Sequence, residues 1–302
     1  MCETKPDWAG MWKDGIEMNM TKTNIEIIKE KHPCFSNRAH FKYGRIHLPV
    51  APKCNIRCRY CEIKLGCVEG RPGVAEEILT PLKAMETLRN AVKRDYPLRV
   101  VAVAGPGEPL ANRQTFEVLE MAKEEFPHLI GCVATNGLAL YECAELLERI
   151  GINAVTVTVN AIDPEVGANI YDYVRVNGKT HFGEEAARIL IDRQQRGVKE
   201  VVSRGMVVKI NTVFIPHVNG DHIVEIAERY ATLGANIMNI MPLIPLGRFA
   251  GSHPPTCEEL TMARRSCENY MEQFKMCKQC RADACCIPGG DDESMGSDCI
   301  RI

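Results

Sequence analysis

The sequence predicts an α/β protein built on a parallel sheet, and three observations carry that expectation. From about residue 45, short runs rich in Val and Ile alternate with longer amphipathic stretches. Six such pairs follow one another, and parallel neighbours need crossovers of helical length. The runs are bounded by Gly, Pro or Asn, residues that end strands and open turns. Six units are too few for a complete eight-stranded barrel, so pattern alone leaves a doubly wound sheet and an open partial barrel both standing.

Residues 1–44, which include HPCFSNRAHFKYG, precede the repeat and read as an N-terminal extension. The expected strands are RIHLPVA (45–51), LRVVAVAG (98–105), LIGCVATN (129–136), NAVTVTVN (153–160), VVKINTVFI (207–215) and NIMNIMPLI (236–244). Between them lie the expected helices EEILTPLKAMETLRNAVKR, QTFEVLEMAKEEF, ECAELLERI, GEEAARILIDRQQRG and HIVEIAERYATLG. The last two close on Gly197 and Gly234, as helix C-termini do. The repeat occupies 45–250. Residues 251–302 add a helix, the stretch CKQCRADACC and an acidic tail, GGDDESMGSD.

Composition narrows the function. The 302 residues carry 37 Lys and Arg against 39 Asp and Glu, and a net charge of −2 argues against a nucleic-acid binder that neutralises phosphates. With 45% hydrophobic and 25% charged residues, the chain is not disordered, collagen-like or coiled-coil. No run approaches the roughly 18 apolar residues of a membrane span, and the start lacks the apolar region of a signal peptide. The expected location is therefore cytoplasmic. Fifteen cysteines need a reason other than disulfides there, and an odd number cannot all pair internally. Metal or redox chemistry is the first expectation.

The densest motif is Lys53-Cys54-Asn55-Ile56-Arg57-Cys58-Arg59-Tyr60-Cys61, a C-x3-C-x2-C directly after the first strand. Three thiolates on one short loop can hold three irons of a 4Fe–4S cube and leave the fourth open. Structural zinc would need pairs of close ligands and finds one C-x2-C knuckle with an offset Cys. On the fourth strand, Thr156, Thr158 and Asn160 share one face and Val155, Val157 and Val159 the other. A parallel strand is normally apolar on both faces, so the polar row implies a ligand in the lumen. Asn211 and Thr135-Asn136-Gly137 repeat the pattern more weakly, and any of these could instead cap a helix.

The thiol spacing at the end of strand one resembles the radical S-adenosylmethionine (SAM) superfamily. The resemblance implies a partial (β/α)6 TIM-type barrel, SAM chelating the open iron, and reductive cleavage to a 5′-deoxyadenosyl radical. Tyr60 holds the aromatic position of that loop. Gly105-Pro106-Gly107-Glu108-Pro109 is similar to the superfamily's glycine-rich loop, where Gly107 would let the backbone approach the SAM ammonium and Glu108 would accept its hydrogen bonds. Thr158, Asn160 and Asn211 would supply ribose and carboxylate contacts.

The remaining motifs narrow the resemblance to the NifB family. EKHPCFS, HFKYGRIHLPVAPKCNIRCRYC, AGPGEPLAN, TNGL, VTVTVNAIDPE and KQCRADA carry it, from about residue 30 to 285. It implies that two further 4Fe–4S clusters, as substrates, are fused with one added sulfide and a SAM-derived carbide into an 8Fe–9S–C precursor of the nitrogenase cofactor. Cys34, Cys132, Cys277 and Cys280 would hold those clusters, with His47 as a replaceable nitrogen ligand and His32 as a weaker one. Cys132 could equally be a small buried hydrophobe and His47 a hydrogen-bonded core histidine. Glu62 is the guess for the base that deprotonates the bound carbon. The implied partners are SAM, Fe–S cluster donors and a downstream carrier or scaffold of the NifX or NifEN type; neither nucleic acid nor membrane is implied.

Cys285-Cys286 departs from the family pattern, which usually continues with a small residue and Gly after the Arg281–Ala284 stretch. The C-terminal NifX-like domain of many relatives is also missing from the sequence. Two rival readings remain: a radical SAM enzyme with a permanent auxiliary cluster, in which Cys34 has no role, and a non-enzymatic Fe–S scaffold or carrier, which has no use for Gly107, Glu108 and Asn160.

Overall fold

The computed structural model describes residues 17–94 and 97–289, with only the backbone described for 17–23. Its centre is six parallel strands, β1 (Gly44–His47), β2 (Leu98–Val103), β3 (Ile130–Thr135), β4 (Ile152–Thr158), β5 (Val207–Phe214) and β6 (Ile237–Pro242). They lie side by side in chain order. A doubly wound sheet reverses direction at a switch point, and this one never does. The open partial barrel is the correct alternative.

The helices after β1–β5 begin with α2 (Pro81–Val92), α3 (Arg113–Glu125) and α4 (Leu140–Ile150). The short α5 (Pro164–Ala168), the long α6 (Gly183–Ser203) and α7 (Ile223–Thr232) follow. α2 starts later than its pattern indicates, because Pro81 takes the first helical position and Thr80 Oγ1 accepts from Lys83 N–H. Gly197 does not end α6, which continues to Ser203. A Cβ there would sit 2.7 Å from the Leu140 Cβ, so this glycine lets α6 lie close on α4. Gly234, in the left-handed region at φ +88°, does follow the end of α7.

Strand parity sorts the core. Val101, Val103, Val133, Val155, Val157, Ile210 and Ile240 pack outward against the helices in one large cluster. The opposite faces turn into the lumen, with registers Ala102↔Cys132, Thr156↔Lys209, Thr158↔Asn211 and Asn211↔Asn239. The floor is apolar: Val100, Ile130, Ala154, Val207 and Ile237 pack with Ile28 and Phe35 of the N-terminal extension, whose helix α1 (Glu17–Lys31) contacts β4 and β5.

An open barrel exposes two strand edges, and the C-terminal segment covers both. After α8 (Cys257–Cys267), Glu272–Gln273 add to β6, and Cys285–Cys286 add antiparallel to β1 as Ile46↔Cys285 and Arg45↔Cys286. Residues 274–284 therefore strap across the gap between first and last strands. This strap carries Cys277 and Cys280.

Candidate active site

The loop bearing Cys54, Cys58 and Cys61 is held from several sides. Ile56–Cys58 pair antiparallel with Tyr171–Val174 of a hairpin closed by Asn177-Gly178. Asn112 grips the loop's first turn: its Oδ1 accepts from Lys53 N–H at 3.2 Å, and its Nδ2 donates to the Lys53 and Glu108 carbonyls at 2.9 and 2.7 Å. Gly107 N–H and Glu108 N–H donate to the Ala51 and Lys53 carbonyls. Gly107 thus earns its place through the cysteine loop itself, because an added Cβ would lie 2.5 Å from the Lys53 carbonyl oxygen.

All three thiols line one cavity of about 310 Å3 that fills the lumen. Burial pushes them up, Cys54 to about 11, so they are protonated until a metal displaces the proton. Among the described residues no disulfide ties them, and no three His, Cys, Asp or Glu side chains close on one point as ligands of a single metal ion would. Three thiols on a rigid loop facing a common cavity fit a 4Fe–4S cluster held at three corners.

Glu108 and Thr158 line the same space, as do Thr156 and Asn211. Glu108 is buried, and its Oε1 accepts from Leu110 N–H and Thr135 Oγ1 while Oε2 accepts from Asn136 N–H at 2.7 Å. A carboxylate has about four acceptor positions, so one remains on Oε2. Burial raises this carboxyl to about 7 against the opposing pull of those donors. The folded protein therefore keeps the proton between about 4.5 and about 7 where the unfolded chain has lost it, and stability falls as pH rises through that window. Comparing urea midpoints at pH 5 and pH 8, wild type should lose about 2.5 kcal/mol more than Glu108→Gln. Equal losses would show that Glu108 is ionised throughout.

Asn160 and Tyr60 act as a unit. Asn160 is fully buried and does not line the cavity; its Nδ2 donates to Tyr60 Oη at 2.8 Å and its Oδ1 accepts from Val213 N–H. It braces the aromatic ring of the cysteine loop. Glu62 lines the cavity but accepts from Gly247 N–H at 3.1 Å and has Lys64 Nζ 3.8 Å away.

The lower lumen holds the second group of thiols. Cys34, Cys132, Cys277 and Cys280 line the same cavity as the cysteine loop, together with His32, His40 and His47. Burial raises Cys34, and Cys132 to about 12. Burial and the Arg45 charge push His47 down to about 3, so its ring is neutral. Its Nδ1 lies 3.0 Å from the Arg281 carbonyl, which can only accept, so Nδ1 carries the proton and Nε2 presents a lone pair. That is the arrangement of a ligating histidine fixed by a carbonyl behind it. His32 is the reverse: its Nδ1 accepts from Cys34 N–H at 3.1 Å, and the neutral ring carries its proton on a buried, unpartnered Nε2. It offers a donor rather than a lone pair.

Sequence reasoning missed four contributors: Arg45, Lys209, His40 and Asn112. It also gave the CRADA stretch no structural role. Arg281 and Asp283 form a bidentate buried pair at 2.7 Å, with side chains 5% and 1% exposed. Arg281 Nη1 donates to the Cys67 carbonyl at 2.6 Å, and Asp283 accepts from Glu76 N–H at 2.6 Å. The pair clamps the strap onto the segment that follows the cysteine loop. Cys67 itself does not line the cavity, and Cys267 is core. Cys2 and Cys299 lie outside the described residues.

Comparison with known proteins agrees with this geometry. The radical SAM superfamily matches residues 48–230. The FeMo cofactor biosynthesis protein NifB of Methanocaldococcus jannaschii is 47% identical over 260 residues, covering 85% of this chain and 86% of that protein. NifB of Azotobacter vinelandii is 41% identical over 276 residues, covering 89% of this chain and 55% of its own length. Streptococcus suis SuiB bound to S-adenosylmethionine shares the fold, with a TM-score of 0.55 at 14% identity over 78% of this chain and 50% of that one. Among the described residues no helix is long and apolar enough to cross a membrane. At this identity over most of its length, the chain belongs to the NifB family of radical SAM enzymes.

Proposed function

We propose that this enzyme works in nitrogenase cofactor biosynthesis by fusing two 4Fe–4S substrate clusters, with one added sulfide and a carbon from SAM, into an 8Fe–9S–C product. The observation that carries the reading is the single lumen: the three thiols of the cysteine loop and the four thiols with His47 line one continuous cavity. A guest held in the lower lumen therefore faces the rim with no wall between.

Cys54, Cys58 and Cys61 hold the resident cluster, which supplies the electron for reductive cleavage of SAM. Glu108 offers its remaining acceptor to the SAM ammonium, and Thr158 and Asn211 line the wall beside it. Tyr60, braced by Asn160, keeps the loop in one conformation. Cys34, Cys132, Cys277 and Cys280 hold the substrate clusters, and His47 ligates through a nitrogen that can be released more readily than a thiolate. The domain assignment follows the same logic, with both extensions contributing substrate ligands to a barrel that contributes the chemistry. The product then passes to a carrier or scaffold protein of the NifX or NifEN type, and the substrate clusters come from Fe–S donors.

Anaerobic incubation of the cluster-loaded protein with reductant and SAM labelled in its methyl group is the test. Label inside an anaerobically extracted cluster, with 5′-deoxyadenosine and S-adenosylhomocysteine as co-products, is the expected result. Cys34→Ala should retain SAM cleavage while losing labelled product. Unchanged iron content in Cys34→Ala, with no label in an extracted cluster from either protein, would instead fit a permanent auxiliary cluster on the C-terminal thiols.

A further inference from the structure

Two cations lie buried in the lower lumen with no carboxylate beside them. Lys209 and Arg45 are 4% and 2% exposed, and among the described residues neither forms an ion pair. Lys209 Nζ donates to the Cys34 carbonyl at 2.9 Å and sits 4.8 and 5.4 Å from the ring centroids of Phe35 and Phe274. Arg45 Nη2 reaches Cys280 Sγ at 2.8 Å, and Nη1 lies 3.4 Å from both Sγ and the carbonyl oxygen of Cys286. The Arg45 Nε has no partner.

An isolated charge taken out of water is costly unless an opposite charge accompanies it. The fold nevertheless keeps two cations among thiols, imidazoles and aromatic rings, so the compensating charge must arrive with a guest. An ammonium has no lone pair and cannot ligate iron; it can only donate to an anion. A thiolate-ligated iron–sulfur cluster is such an anion, with sulfides as its outer acceptors.

We propose that Lys209 and Arg45 are positioning residues that hold the substrate clusters as anions, Lys209 donating its free ammonium protons to cluster sulfur. The inference rests on the reading that those clusters occupy the lower lumen. Lys209 stands where three segments meet: Phe35 adjoins Cys34 of the N-terminal extension, Phe274 leads into the strap of Cys277 and Cys280, and β5 carries the lysine itself. One ammonium therefore adjoins both the segment of Cys34 and the strap of Cys277 and Cys280. An electrostatic hold of this kind also suits a guest that leaves, because no iron–ligand bond has to break at these two residues.

The test uses the full chain with Cys54, Cys58 and Cys61 all replaced by Ala, so that only lower-lumen iron is counted after anaerobic reconstitution with ferrous iron and sulfide. Adding Lys209→Met should lower bound iron at least about twofold and move the midpoint potential of what remains to more negative values, since a nearby positive charge favours the reduced, more anionic state. Lys209→Arg should restore both. The metal-free Lys209→Met protein should melt above its parent, because an uncompensated buried charge is gone. Unchanged iron and potential in Lys209→Met, or a lower melting point of its metal-free form, would overturn the inference alone. A parent that binds no iron would overturn the reading of the lower lumen, and the inference with it.

Discussion

Arg281→Met should lower stability by about 3–5 kcal/mol, the range for breaking a buried ion pair and leaving one charge behind. Asp283 would keep its carboxylate at 1% side-chain exposure with the Glu76 N–H as its remaining partner. For a domain of this size that corresponds to a fall in melting temperature on the order of 10 °C. The cost is not confined to the pair, because Arg281 also donates to the Cys67 carbonyl and its own carbonyl accepts from His47. Losing the clamp loosens the strap and, with it, the backbone carbonyl at position 281 that fixes the His47 tautomer. The double variant Arg281→Met/Asp283→Leu separates these effects. It should recover most of the stability, since no charge is stranded, yet still bind less lower-lumen iron than wild type. If the single variant melts within about 2 °C of wild type, the pair is not the strap's anchor.

The six strands were legible because Val and Ile runs with turn residues at both ends are a local signal, and each strand lies within or next to its expected span. Whether they made a doubly wound sheet or an open barrel was not, because strand order depends on which neighbour each strand meets. The hairpin over 171–181 was readable and overlooked: Asn177-Gly178, both in the left-handed region, sits between the runs YDYVRV and KTH. Gly197 misled for the opposite reason, since the feature that makes glycine a helix terminator also makes it a contact point between helices.

The site divides along the same line. Cys54, Cys58 and Cys61 are close in sequence, so spacing alone groups them, and the structure sets all three on one cavity. Cys34 lies far in sequence from the C-x2-C of Cys277 and Cys280, so sequence does not show that they share a site; the strap explains how a segment near the C-terminus reaches the lumen. Thr156 and Thr158 were placed correctly by parity, and the same parity puts Lys209 and Asn211 opposite them in register. Lys209 could have been found this way, but a lysine in a strand reads by default as an exposed edge. Asn160 followed the parity only in part, because its strand ends at Thr158 and its amide turns to Tyr60 instead of the cavity.

Gly107→Ala should abolish most SAM cleavage, by about 100-fold, while leaving a folded protein. The new Cβ would meet the Lys53 carbonyl oxygen at 2.5 Å, the Lys53 carbonyl carbon at 2.8 Å and the Ala51 oxygen at 2.9 Å, all of them backbone. No rotamer can relieve such contacts, so the two loops must separate. That separation breaks the hydrogen bonds from Gly107 N–H to Ala51 and from Glu108 N–H to Lys53. It also moves Cys54, next to Lys53, away from Glu108. Both ends of the proposed SAM site shift at once, and a misplacement of about 1 Å at reacting groups is enough for the stated loss. Overpacking of this kind costs about 1–3 kcal/mol, which a domain of this size survives. Gly70→Ala is the control, since nothing lies within 4 Å of a Cβ there and its φ is not left-handed. Measuring 5′-deoxyadenosine release and iron content for both variants decides the matter. If Gly107→Ala cleaves SAM at the wild-type rate, the two loops are not held in the register that the structure shows.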